Sequence, residues 1–290
     1  MRLGLLAIFR NEAHILDEFI SFYKLQGIDH FYLINNASED DYLPIIEKHS
    51  KYVTLYHDNY VESTTYLDKG GPQLPAYNRV LKEVKTDWLY VCDLDEFAYI
   101  RNNSEFKNIK DFIVKTSESY DQVLIPLRIF NSGGNIEQPS SVVRGFLQGQ
   151  ELVCNHQCLT KPIARTALID SIRINYCIMK DMSITANSSL ESFSYLFNAS
   201  YAPRGSEAAI TFFRTVFDWS RPHVVSNHYV VQSYEWFWSV KAKRGTATWH
   251  GGPSQEASEW FSWVWDRYDG LNMVYDDEVI SVLQKLENSV

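Results

Sequence analysis

Cysteine is scarce in this chain, with four among 290 residues, at Cys92, Cys154, Cys158 and Cys177. Cys154-Asn-His-Gln-Cys158 supplies one ligand pair and no second pair at matching distance, which excludes the zinc-ribbon and zinc-finger patterns. Reduced, buried thiols in a cytoplasmic protein are the expectation. Basic charge is also short: 27 Lys+Arg stand against 36 Asp+Glu, a formal charge of −9, so the positive field that binds a phosphate backbone is missing and nucleic acid is not expected as a partner. Long apolar runs are absent, since no stretch reaches 18 residues. The opening run meets Arg10 and Asn11 after seven residues and has no small-residue cleavage site, so neither a spanning helix nor a secretion signal is read there. No internal repeat or low-complexity linker divides the chain.

What is present is a globular composition, 45% hydrophobic and 22% charged, rich in aromatics with 8 Trp, 18 Tyr and 16 Phe. The length fits two domains or one large α/β domain. Leu3 to Phe9 is an apolar run of strand length. Beyond Arg10-Asn11-Glu12, residues Ile15, Leu16, Phe19, Ile20, Phe22 and Tyr23 recur at helical spacing, and Gly27 is placed to end the helix. His30 to Ile34 and Tyr52 to Tyr56 read as strands, with a short helix from Tyr42 to Lys48 between them. Beyond a loop around Gly70-Gly71-Pro72, a helix from Leu74 to Val84 and a strand from Trp88 to Cys92 are expected. Such alternation predicts a mostly parallel central sheet with helices on both faces.

Polar clusters fall at the carboxyl ends of three of these strands: Arg10 and Asn11, Asn35 and Asn36, Asp93 and Asp95. In open parallel sheets that edge is where ligands bind, so the clusters are expected to converge on one crevice. The run Trp88-Leu-Tyr-Val-Cys-Asp-Leu-Asp-Glu-Phe97 is the sharpest signal. A strand ending in Asp-x-Asp projects two carboxylates from a tight turn, a donor set suited to a hard divalent cation that keeps positions open for phosphates.

Taken together, FRNEAHILDEFISFYKLQGIDHFYLINNASEDD, PQLPAYNRVL, DWLYVCDLDEF, IFNSGG and NHYVVQSYEWFWSVKAKRG occur in the order expected of glycosyltransferases of GT-A fold, and the chain resembles the family-2-like and family-92-like group over about residues 2–245. The resemblance implies a Rossmann-like α/β fold and metal-dependent, inverting transfer of a hexosyl or pentosyl unit from a UDP- or GDP-sugar to a hydroxyl of a glycan or glycolipid. It places Arg10, Asn11 and Glu12 beside the nucleotide, and Asn35, Asn36 and Asp40 in the loop bordering base and ribose. Asp93 and Asp95 match the metal and ribose-diphosphate motif, with Mn²⁺ or Mg²⁺ as cofactor. Gly133 and Gly134 resemble the glycine turn near donor and acceptor sugars, and His228 matches a histidine that completes the metal site or touches the diphosphate. Lys241, Lys243 and Arg244 either close over the diphosphate or form a solvated helix face.

The general base departs from the family pattern. A Glu is expected shortly after the glycine turn, but Ser141-Val-Val-Arg-Gly-Phe146 carries Arg144 there. Glu137 and Asp181 are the substitutes, with Glu207 and Asp218 behind them. Six of the eight Trp lie between Trp236 and Trp265. They read as an acceptor-stacking platform, as packing of a C-terminal helix, or as a surface for self-association or peripheral membrane contact. The expected organisation is a catalytic domain at 1–245, divided into a nucleotide-sugar-binding half at 1–100 and an acceptor-binding half at 101–245, followed by a Trp-rich helical segment at 246–290. A catalytically silent glycan-binding module is the alternative. A nucleotidyltransferase is a third class, but the chain lacks a Gly-rich, Lys/Arg-bearing loop after the first strand.

Overall fold

A computed structural model of the chain describes residues 1–58, 72–151, 159–180, 182–193, 221–245 and 255–288. Strand β1 (Leu3–Phe9), helix α1 (Ala13–Leu25), β2 (His30–Asn35), α2 (Leu43–Lys48), β3 (Val53–His57), α3 (Gln73–Val80) and β4 (Trp88–Val91) follow in the expected order. Gly27, at φ +88°, takes the left-handed conformation that stops α1. Helix α3 ends earlier than the expected Val84, at Val80, and its last turn tightens into a 3₁₀ turn over Leu81–Glu83. The four strands pair in parallel in the order β4-β1-β2-β3.

Strand period explains how one sheet buries two faces. Leu3, Leu5, Ala7 and Phe9 of β1 join Phe31 and Leu33 of β2 and Ile15, Leu16, Phe19 and Ile20 of α1 in one core. The alternate residues Leu6, Tyr32 and Ile34 join Ala76, Tyr77 and Val80 of α3 in a second core on the opposite face. Burial on both sides is why these strands read as continuous apolar runs instead of alternating ones.

Among the described residues, the remainder comprises β5 (Glu96–Ile100), α4 (Ile109–Thr116), β6 (Gln122–Ile129), α5 (Val142–Gly145), β7 (Gln148–Gly149), β8 (Thr160–Arg165), β9 (Ile169–Ile172), β10 (Cys177–Met179), β11 (Thr185–Asn187), β12 (Ser192–Phe193), β13 (Val224–His228) and β14 (Val274–Tyr275), with three helical stretches after β13. The fold is α/β as expected, and the central sheet is mixed, with parallel pairings outnumbering antiparallel ones. Its order is β12-β11-β6-β8-β4-β1-β2-β3, with β13 bridging β6 and β5. Strand β8 lies antiparallel between β4 and β6, and β13 runs antiparallel to β5. The connection from β4 to β5 spans only Cys92 to Asp95, far too short for the crossover that a parallel return requires.

The C-terminal elements belong to the same body. Val279, Val282 and Leu283 of helix Glu278–Glu287 enter the main core, and β14 pairs with β7. Buried Arg128 forms a 2.6 Å ion pair with Asp276, and Glu278 accepts hydrogen bonds from the Arg101 side chain and the Asn102 N–H. Helix Gln255–Asp269 packs Phe261 and Val264 against Ile129, Val231 and Phe237. Among the described residues, no helix is long and apolar enough to cross a membrane.

Candidate active site

The turn Cys92 to Asp95 leaves β4 at the carboxyl edge of the parallel strands and enters β5 directly. Leu94 is buried at its centre, and the two flanking aspartates diverge. Asp93 accepts hydrogen bonds from Gln73 Nε2 at the start of α3 and from Lys161 Nζ on β8, the latter at 2.7 Å. Asp95 faces the other way, with Oδ2 3.2 Å from Lys241 Nζ and Oδ1 3.4 Å from His228 Nε2. The next residue, Glu96, is fully buried; its Oε2 accepts the Asp93 N–H, and its Oε1 lies 3.4 Å from Lys161 Nζ.

Sheet register delivers His228 to this turn. In the β5–β13 pair, His228 stands opposite Glu96, and the Tyr229 N–H donates to the Asp95 carbonyl at 2.8 Å. Ligand atoms of Asp95, Glu96 and His228 consequently lie within 4.8 Å of one another. His228 Nδ1 and Glu96 Oε1 are buried without a hydrogen-bond partner and sit 3.9 Å apart. An imidazole and two carboxylates converging at this spacing are a donor set that fits a cation with oxygen and imidazole ligands.

Electrostatics separates the two buried acids, Asp95 and Glu96. Burial by itself would raise the Asp95 carboxyl, but Lys241 and His228 outweigh it and hold the group well below the usual carboxylate range. Burial dominates at Glu96 and pushes it up to about 7, with Lys161 opposing. At His228, burial would lower the imidazole, yet the Asp95 charge prevails and raises it. Lys161 is likewise held protonated: burial would lower it, and Asp93 and Glu96 overcome that.

The far side of the cleft comes from the stretch after β13. Ser233 caps a helical turn at Tyr234–Trp236, which passes into a π-turn over Phe237–Lys241 and ends at Gly245 with φ +83°. Lys241 and Arg244, three residues apart, both lie over the Trp236 ring, at 5.6 and 5.3 Å. Arg244 donates to Glu12 Oε1 at 2.9 Å and to the Arg10 carbonyl, while Arg10 donates back to the Arg244 carbonyl at 3.4 Å. These bonds join the end of β1 to a segment more than 230 residues later.

A cleft of about 340 Å³ lies among these groups. Of the expected site residues, Arg10, Glu12, Asn36, Asp93, Asp95, His228, Lys241 and Arg244 line it. Asn11, Asn35 and Asp40 stand behind the lining and shape the loop. The Asn11 Oδ1 accepts the Glu39 N–H, Asn35 bonds Tyr42 and Ser38, and Asp40 accepts the Ala13 N–H at 2.7 Å, satisfying a free donor at the start of α1. Gly133 and Gly134, at φ +58° and +81°, form an exposed turn outside the lining, and Glu137 is exposed just beyond it. Lys243 is exposed as well. Asp181, Glu207 and Asp218 lie outside the described residues, as do Cys154, Cys158, Trp219 and Trp249.

Sequence reasoning missed Gln73, Lys161 and Glu96. Lys161 sits in the buried strand Thr160–Arg165, where a lysine carries no signal until β8 is known to neighbour β4. Trp260, Trp263, Val264 and Tyr268 of helix Gln255–Asp269 form an aromatic flank of the cleft, while Phe261 on the same helix is core. Trp260, Trp265 and Tyr268 also pack against the core around Phe261 and Val264, as the packing reading of the tryptophan cluster expects.

The sequence over residues 7–237 matches the model of Glycosyltransferase family 92, and the chain belongs to that family. Similar solved structures include TarS 1-349 from S. aureus in complex with UDP, at 19% identity and a TM-score of 0.39, covering 58% of this chain and 48% of that one. Mannosyl-3-phosphoglycerate synthase from Rubrobacter xylanophilus is similar at 14% identity and a TM-score of 0.34, covering 58% and 54%. Glucosyl-3-phosphoglycerate synthase from Mycobacterium tuberculosis, in complex with Mn²⁺, UDP and phosphoglyceric acid, is similar at 17% identity and 0.31, covering 58% and 57%. The chain therefore spans about half the length of these structures. A search of curated proteins finds no match.

Proposed function

We propose that the protein transfers a sugar, with inversion, from a nucleoside-diphosphate sugar to a hydroxyl of a glycan or glycolipid acceptor, with a divalent cation as cofactor. The observation that carries this reading is the convergence of Asp95 and His228, backed by buried Glu96, with two cationic side chains, Lys241 and Arg244, on one cleft at the strand ends. Asp95 and His228 would hold the cation, Mn²⁺ or Mg²⁺, with Glu96 behind them. When bound, the cation supplies Lewis-acid stabilisation of the diphosphate as it departs.

The chain's own residues do the rest. Departure of a nucleoside diphosphate leaves negative charge on the β-phosphate, and Lys241 and Arg244 place positive charge on that side of the cleft. Lys161 keeps Asp93 and Glu96 ordered, so the Asp93 carboxylate is a fixed acceptor suited to donor hydroxyls. Asn36 and Glu12 border the nucleotide end, and Trp260, Trp263 and Tyr268 offer aromatic faces on which a sugar ring stacks. The volume lies within the range of small-molecule sites, roughly 300–1,000 Å³. A screen of UDP- and GDP-sugars for Mn²⁺-dependent hydrolysis and transfer tests the reading, and proton NMR of the product reads the anomer. No metal-dependent turnover or binding of any nucleotide sugar would remove it.

A further inference from the structure

The two carboxylates of the turn each face a lysine, and the two lysines are held differently. Lys161 projects from the central strand β8, is 2% exposed, and touches two acids, Asp93 at 2.7 Å and Glu96 at 3.4 Å. It is not among the residues that line the cleft. Lys241 comes from a π-turn at the cleft rim and touches one acid, Asp95 at 3.2 Å, with the Val230 carbonyl as its other partner. It also lines the cleft, beside Arg244. π-turns within helices recur at functional sites, where they redirect a side chain that regular helical spacing would aim elsewhere.

Under the cation-dependent reading proposed above, on which this inference rests, the arrangement has a consequence. A hard cation binds a carboxylate oxygen at about 2.1 Å. A cation on Asp95 would therefore lie close to an ammonium that is itself 3.2 Å from Oδ2, in a buried setting where like charges repel strongly. A diphosphate entering the cleft brings the negative charge that the ammonium needs as an alternative partner.

We propose that Lys241 is an internal counter-ion that competes with the divalent cation for Asp95, so that the cation binds tightly only together with a diphosphate able to accept the ammonium. Cation and nucleotide then strengthen each other's binding, by the same factor in both directions. A lysine with a purely structural role would instead support the site, and its removal would leave cation affinity unchanged or weaken it.

Mn²⁺ binding followed by electron paramagnetic resonance, on the full chain, tests this without any turnover. Wild-type protein should bind Mn²⁺ at least tenfold more weakly alone than with saturating UDP or GDP. Lys241→Met should bind Mn²⁺ alone at least tenfold more tightly than wild type while losing nucleotide affinity, and Lys241→Arg, which restores the charge, should return Mn²⁺ affinity toward the wild-type value. Mn²⁺ affinity in Lys241→Met equal to or below that of wild type would overturn the proposal. So would wild-type binding that is equal with and without nucleotide, a measurement that stands even if the Met variant does not fold. Those results leave the cation-dependent reading intact. Absence of Mn²⁺ binding to every protein, with either nucleotide present, removes that reading and this inference with it.

Discussion

One wall of the cleft is made of strand ends, and the other of long side chains carried in from helices. On the first, the ends of β1, β2 and β4 set Arg10, Asn36 and the Asp93–Asp95 turn, and the loop behind them is fixed by Asn11, Asn35 and Asp40 through bonds to backbone or near neighbours. On the second, Lys241, Arg244, Trp260, Trp263 and Tyr268 reach the cleft from helical segments that pack on a small satellite core. The difference teaches a division of labour. The strand wall presets geometry, and the helical wall supplies positive charge and aromatic surface.

The comparison breaks most sharply at Asp95, the residue where both walls meet. Asp95→Asn keeps the shape but removes the charge that Lys241 and His228 face. Turnover should fall about 1,000-fold, in the range expected for losing electrostatic stabilisation of a leaving group. Nucleotide-sugar hydrolysis measures it, and activity within tenfold of wild type would show that the strand wall does not carry the chemistry.

The next test separates the walls mechanically. Arg244→Ala breaks the buried pair with Glu12, whose side chains are 10% and 7% exposed, and strands a carboxylate. Stability should drop by about 3 kcal/mol, as when one partner of a buried ion pair is removed. Urea unfolding reads this. A loss below about 1 kcal/mol would mean that the rim is docked by the satellite core and not by the Arg244 contacts to β1.

The strand wall was readable in the sequence because its signals are local. Period-two burial on two faces produced the apolar runs at Leu3–Phe9 and Trp88–Val91, and polar residues stood at their ends, so Arg10, Asp93 and Asp95 could be placed on a ligand edge in advance. The remainder depended on pairing. Lys161 neighbours Asp93 only because β8 inserts antiparallel beside β4, and Glu96 meets His228 only through the β5–β13 register, relations between residues 68 and 132 positions apart. At the rim the residues alone left two readings open for Lys241, Lys243 and Arg244, and the folded segment with its π-turn is what sets Lys241 and Arg244 on the cleft and leaves Lys243 exposed. Gly133-Gly134 illustrates the converse: a turn legible from its glycines lies on the surface beyond the cleft lining.

A gentler probe of the helical wall is Trp263, which is 51% exposed and lines the cleft. Trp263→Ala should leave stability within about 0.5 kcal/mol, as for exposed positions generally. If the aromatic flank receives the acceptor, the acceptor KM should rise about tenfold, or ~1.4 kcal/mol, with donor hydrolysis unchanged. Equal acceptor kinetics would assign the tryptophan to the surface alone.

The smallest effect belongs to a charge cluster remote from either wall. Asp17 of α1 accepts from Lys48 Nζ at 2.8 Å and contacts His49 Nε2 at 2.7 Å, tying α1 to α2. The Lys48 hydrogen bond, against a smaller opposing effect of burial, holds the Asp17 carboxyl below its ordinary value of 3.8, with His49 helping. A depressed acid binds its proton less readily when folded, so its stabilisation is present above pH 3.8 and is lost as pH falls through the lower folded value. Because Asp17 is 45% exposed, solvent screens most of this, and Asp17→Asn should cost under about 1 kcal/mol at neutral pH. Thermal melts from pH 6 down to 3 should show a shallower acid slope in the variant, while nucleotide-sugar turnover stays at the wild-type level. A change in turnover would mean that the α1–α2 packing behind the strand wall is coupled to the cleft, and that this wall is less preset than its bonds indicate.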